Sequence, residues 1–150
     1  MRAVIQRVKS ASVYTDGEAF SAIGPGLCCL IGVEKSDTTD DIDYIIRKIC
    51  SLRIFEDDKG LMNLDVEQIR GEILLVSQFT LLGDARKGRR PSYSTAEDPL
   101  RAEKLFNELV ERTRSRFSAE VKTGKFQAMM DVHIVNHGPV TILLDSRKRF

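Results

Sequence analysis

The sequence predicts an α/β protein: mixed β-sheet layers covered by two main helices, folded as a single compact domain over residues 1–150. Three observations carry this. Short apolar runs are punctuated by Gly and Pro. Two longer segments repeat their apolar residues at helical spacing. A chain of this length buries roughly 68–70% of its unfolded surface around one core.

In order along the chain, residues 2–9 and 11–15 alternate well enough to be two paired strands, and Asp16-Gly17 marks a hairpin turn into 18–23. Gly24-Pro25-Gly26 interrupts before Leu27-Cys28-Cys29-Leu30-Ile31-Gly32-Val33, whose unbroken apolarity predicts a buried central strand. Ile42, Ile45, Ile46, Ile49 and Leu52 then define a helix. Asp40, Asp41 and Asp43 occupy its first turns, where the helix dipole favours anions, so this acidic run is a helix start and not a metal site. Residues 71–78 form another strand. Asp98-Pro99 opens a longer helix, with Asp as N-cap and Pro at the first helical position. Its apolar stripe is Ala102, Leu105, Phe106, Leu109, Val110, Thr113 and Phe117. Three strands close the chain, near 119–123, 130–136 and 139–145.

Composition excludes several classes. Hydrophobic residues make up 42% and charged residues 30%, ordinary values for a soluble domain. No apolar run approaches the ~20 residues of a membrane helix. The N-terminal stretch turns polar too early for a signal peptide, which predicts a cytoplasmic protein. Cys28, Cys29 and Cys50 have no metal-type spacing. Adjacent in a strand, Cys28 and Cys29 point to opposite faces as small buried hydrophobes. The net charge of +1 gives no global attraction to nucleic acid. Basic residues cluster in Arg86-Lys87-Gly88-Arg89-Arg90 and in the tail Arg147-Lys148-Arg149. Taken alone, each cluster is a solvated loop or chain end that permits RNA binding without requiring it.

Two motifs carry the chemistry. In Asn136-His137-Gly138-Pro139, a Gly-Pro step interrupts a strand-like run. Local chemistry favours a tight turn joining two antiparallel strands. The same dipeptide also presents main-chain carbonyls with almost no side chain in the way. Ser77-Gln78-Phe79-Thr80-Leu81 closes the run Ile73-Leu74-Leu75-Val76, so a strand delivers polar groups to its own end. His133 and His137 would lie roughly 13 Å apart on a strand at about 3.3 Å per residue, too far to share a metal. No Gly-x-Ser-x-Gly elbow is present, and spacing supplies no base for Ser77 or Thr80. Neither metal nor cofactor is expected.

These two motifs, in this order, resemble those of the bacterial D-aminoacyl-tRNA deacylases. The resemblance extends through Ile5-Gln6-Arg7-Val8, Gly32-Val33-Glu34-Lys35, Arg53-Ile54-Phe55, Met62-Asn63-Leu64, Arg90-Pro91-Ser92-Tyr93 and Thr123-Gly124-Lys125-Phe126. It implies a homodimer that hydrolyses the ester of D-aminoacyl-tRNA, with active sites at the subunit interface. Ser77, Gln78, Phe79 and Thr80 would form the catalytic strand end, the Phe79 amide donating to the developing oxyanion and Thr80 standing as a candidate nucleophile or binding group. Gly138 and Pro139, joined by a cis bond and held by Arg7, would enter the partner's site. Their carbonyls would exclude an L side chain and admit D-residues and glycine. Asn136 and Met129 would contribute to substrate binding. Arg86, Lys87, Arg89 and Arg90 would meet tRNA phosphates. The 2′-hydroxyl of the terminal ribose would assist the attacking water. The chain departs from the family pattern at His137, where relatives often carry Asp, and at Gln127, where a small residue is usual. Two other readings stand beside this one: a related hydrolase with a trans Gly-Pro bond and room for a small L-residue, and a non-catalytic tRNA-binding module.

Overall fold

The longest strands of the protein are β1 (Arg2–Thr15) and β8 (Asp131–Asp145), antiparallel partners over almost their whole length. A computed structural model describes residues 1–150. On its other edge β1 pairs first with β3 (Gly26–Gly32), through Arg2 to Val8, and then with β2 (Glu18–Ile23), through Ala11 to Thr15. Beyond β3 the sheet continues in parallel through β6 (Glu72–Ser77) and β7 (Val121–Thr123). Helices α1 (Thr39–Ser51) and α2 (Pro99–Arg116) cover one face. A small ribbon of β4 (Phe55–Glu56) and β5 (Met62–Leu64), not anticipated from the sequence, follows α1.

Residues 2–9 and 11–15 are one strand and not two. A single intervening residue cannot reverse a chain, since the tightest common hairpin uses a two-residue loop. What interrupts the alternation is a bulge: Val8 pairs with Asn136 and Ser10 with Val135, leaving Lys9 without a partner. One extra residue swaps the faces of everything beyond it. Ala3 and Ile5 therefore join the larger core cluster under the helices, whereas Ala11 and Val13 join a smaller cluster on the opposite face.

The predicted strands 130–136 and 139–145 are likewise one strand, and Asn136-His137-Gly138-Pro139 is not a hairpin turn. Thr141 pairs with Gln6 and Asn136 with Val8, so His137, Gly138, Pro139 and Val140 stand opposite Arg7 alone. Four residues loop outward while the chain keeps its direction, because β1 offers an uninterrupted partner on both sides. The Gly138–Pro139 bond is cis.

Strands β3 and β6 are buried on both faces. Leu27, Cys29, Ile31, Ile73 and Leu75 face the helices; Cys28, Leu74 and Val76 face the smaller cluster. Cys28 and Cys29 thus point to opposite faces as expected, and burial pushes the Cys28 thiol up to about 12. Both helices begin as predicted. Thr38 and Asp41 form a capping box on α1, and the Asp98 carboxylate accepts from Leu100 N at 3.1 Å on α2.

The C-terminal tail differs from the solvated end expected. Arg149 pairs with Glu34 and, at 2.8 Å, with Asp145; Arg147 reaches Asp37 at 3.1 Å. Glu34, Asp37 and Asp145 are buried. Burial raises the Asp37 carboxyl above its usual range. Burial also opposes ionisation of Glu34 and Asp145, but there the arginine contacts win and hold both carboxyls low. Such groups stabilise the fold above their unfolded values, and that contribution is lost as pH falls through the folded ones. Urea midpoints are therefore expected to drop as pH is lowered from 5 through the ordinary carboxylate values of 4.5 and 3.8. In Arg149→Met the slope should flatten or reverse, because both carboxylates then gain by protonation.

Candidate active site

Strand β6 ends at Ser77, and Gln78 N still donates to the Ile31 carbonyl at 2.7 Å. The chain then tightens into one 3₁₀ turn, Phe79–Leu82, closed by Leu81 N donating to Gln78 O (3.3 Å) and Gly83 N to Thr80 O (3.0 Å). The Phe79 and Thr80 N–H groups open this turn and find no acceptor within it. The Gln78 side-chain amide donates to the Thr80 hydroxyl.

This strand end overhangs a cavity of about 600 Å³. Ser77, Gln78, Phe79, Thr80 and Met129 all line it, so five of the residues singled out in the sequence are brought together. The opposite wall is the segment Phe126 to Met130 between β7 and β8, and the start of α2 closes one side. Met129 is not core: it is 91% exposed at the cavity rim. Gln127 adopts φ 58°, a left-handed conformation that favours glycine.

Sequence reading missed Glu97, which the topology brings to the cavity by pairing Ala96 with Glu34. No local motif announced it. Burial alone would raise its carboxyl, but the Asp98 N–H and the Arg101 guanidinium outweigh burial and hold it low. Glu97 is therefore a committed anion. No imidazole or carboxylate is hydrogen-bonded to the Ser77 or Thr80 hydroxyl, so the site lacks the nucleophile–base pair of a serine or threonine hydrolase.

Arg7, Asn136, Gly138 and Pro139 lie apart from this cavity, on the β1/β8 edge. Arg7 is not the surface charge that an isolated strand arginine would be. At 3% exposure, its Nε donates to the His137 carbonyl (2.9 Å) and its Nη1 to the Ile54 carbonyl (2.6 Å). It ties the outward loop of β8 to the segment leading into β4. Gly138 takes φ 131°, and a Cβ there would meet Val140 N at 2.8 Å and Arg7 Nη2 at 3.2 Å. Only glycine suits the position. Asn136, Gly138 and Pro139 are exposed. Arg86, Lys87, Arg89 and Arg90 are exposed as well, with Arg86 paired to Asp84.

The architecture is thus a helix-backed mixed sheet with a polar strand end over a largely apolar cavity. The model of the D-Tyr-tRNA(Tyr) deacylase family matches residues 4–145, and the chain belongs to that family. A D-aminoacyl-tRNA deacylase of Caldicellulosiruptor saccharolyticus is 55% identical and one of Thermosipho melanesiensis 53%, each over 150 residues covering 100% of both chains. Among solved structures, a c-Myc DNA unwinding element binding protein superposes with a TM-score of 0.92 at 44% identity, covering 97% of this chain and 98% of that one. A probable eukaryotic D-amino acid tRNA deacylase shares the fold, with a TM-score of 0.76 at 16% identity, covering 95% of this chain and 97% of its own.

Two expectations follow. Arg7→Met leaves two carbonyls without their donor and should lower stability by about 2 kcal/mol, read from chemical denaturation. Gln127→Gly removes left-handed strain and should raise stability by up to about 1 kcal/mol in the same assay.

Proposed function

We propose that this protein hydrolyses the ester linking a D-amino acid to the 3′-terminal ribose of tRNA, releasing free D-amino acid and tRNA in the cytoplasm. The observation that carries this reading is the strand end itself: Ser77 to Thr80 overhang the cavity with unpaired turn amides and no base on either hydroxyl. Such a site suits a bond already activated and a substrate that brings its own assistance. An aminoacyl ester is activated, and the adjacent ribose hydroxyl can orient the attacking water. The Phe79 amide then donates to the developing oxyanion, a contribution worth roughly 2.7–4 kcal/mol in comparable sites. Thr80, held by Gln78, positions substrate.

Chirality is read by Gly138 and Pro139 of a second copy. In one copy the dipeptide projects from the edge strand, exposed and away from its own cavity, as a group offered across a dimer would be. Its carbonyls crowd one direction at the substrate α-carbon, so only hydrogen fits there. L-residues clash, D-residues pass with their side chains unread, and glycine passes too. Arg7 holds the loop through the His137 carbonyl just before the dipeptide, and the loop of Arg86, Lys87, Arg89 and Arg90 takes phosphates, making affinity fall with salt.

Purified protein incubated with D-Tyr-tRNA and L-Tyr-tRNA should release tyrosine from the D form alone. Release from both forms would remove the proposed selector, and release from neither would leave a tRNA-binding module. Gly138→Ala places a methyl against Val140 and Arg7 and should lower D-Tyr-tRNA hydrolysis at least tenfold.

A further inference from the structure

The rim of the cavity carries a pair of aromatic side chains whose rings ester hydrolysis does not use. Phe79 and Tyr93 stand side by side there, 58% and 40% exposed, with ring centroids 5.2 Å apart at 66°. Phe79 lines the cavity, whereas Tyr93 lies just outside it. The Tyr93 ring is seated on the bare backbone of Gly83, where a Cβ would come within 3.0 Å of its Cε1. Its loop is pinned at both ends. Asp84 and Ser92 exchange backbone hydrogen bonds of 2.8 and 2.9 Å, and Ala96 N donates to the Tyr93 carbonyl at 3.0 Å. Lys35 Nζ adds a bond to the Ser94 carbonyl at 2.8 Å. Two large rings are thus held in a fixed pose while still facing solvent.

The same loop supplies Lys87, Arg89 and Arg90, exposed and free of ion pairs, between the pinned Asp84 and Ser92. Fixed aromatic faces beside free cations match a single-stranded nucleic acid, in which flat bases alternate with phosphates. An edge-to-face pair leaves a ring face open for a third ring. We propose that Phe79 and Tyr93 form a stacking seat for the base immediately 5′ of the aminoacylated nucleotide, with the Lys87–Arg90 cations on the phosphates. The proposal rests on reading the cavity as the aminoacyl-nucleoside site. It assigns the seat a distinct task, that of telling a tRNA end from a free aminoacyl-nucleoside.

Two measurements test it. In hydrolysis, wild type is compared with Tyr93→Leu and Tyr93→Phe on D-Tyr-tRNA and on D-Tyr-adenosine, which has no 5′ base. Loss of one stacked base should raise KM for D-Tyr-tRNA about tenfold in Tyr93→Leu at unchanged kcat. The preference for tRNA over nucleoside should fall by the same factor, while Tyr93→Phe retains it. An equal loss on both substrates, or an unchanged preference, would overturn the seat. The second measurement needs no hydrolysis: the Kd of the tetranucleotide ACCA is compared with that of adenosine. Tyr93→Leu should weaken ACCA alone, about tenfold, and an unchanged Kd would overturn the proposal. Wild type that cleaves neither substrate yet shows the ACCA effect would sink the deacylase reading and keep the seat. A shift in oligomeric state on Tyr93→Leu, with ACCA binding unaltered, would instead assign the rings to a contact between copies.

Discussion

The structure depends on one mismatch in one ladder. Strands β1 and β8 pair on both sides of a place where four residues face one, and the side chain of that one residue, Arg7, reaches across the gap. A sheet normally heals such an excess with a single-residue bulge. Here the surplus is too large to absorb, and it leaves the sheet as a projection tied at its His137 carbonyl by a buried guanidinium. A planar donor fork suits that task, because it can hold the His137 and Ile54 carbonyls at once in a set geometry.

The second irregularity in the same strand has the opposite sense. Lys9 is surplus on β1, and its bulge turns the strand from one core to the other. β1 can then close the helix-covered core with Ala3 and Ile5 and build a second layer with Ala11 and Val13. Ser21 Oγ donating to the Thr123 carbonyl at 2.7 Å marks where β2 meets the far side of the sheet in that second layer.

Regular periodicity was legible in the sequence, and its interruptions were not. Both helices, with the Asp98 cap and the isoleucine stripe of α1, follow from local chemistry that tertiary packing had no reason to override. The central strands follow from unbroken apolarity. Asn136-His137-Gly138-Pro139 has turn chemistry, and nothing within those four residues says that a long partner strand holds both flanks in line. Burial of Arg7 was invisible for the same reason, since its acceptors lie 47 and 130 residues away. The tail arginines were read as solvated because their carboxylate partners are scattered over Glu34, Asp37 and Asp145. At the cavity, the Ser77–Thr80 strand end was legible as a motif, and Glu97 was not, because only the sheet-end pairing of Ala96 brings it there.

The cavity draws on both cores of the protein. Val76, Met130 and Val132 line it from the smaller cluster of seven buried residues and its margin, whereas Val33, Ala102 and Phe126 line it from the larger one of 23 and its margin. A change of side chain at Val76 is therefore felt first by the smaller core and one at Val33 by the helix-backed core, so the two sides of the cavity answer to different packing constraints.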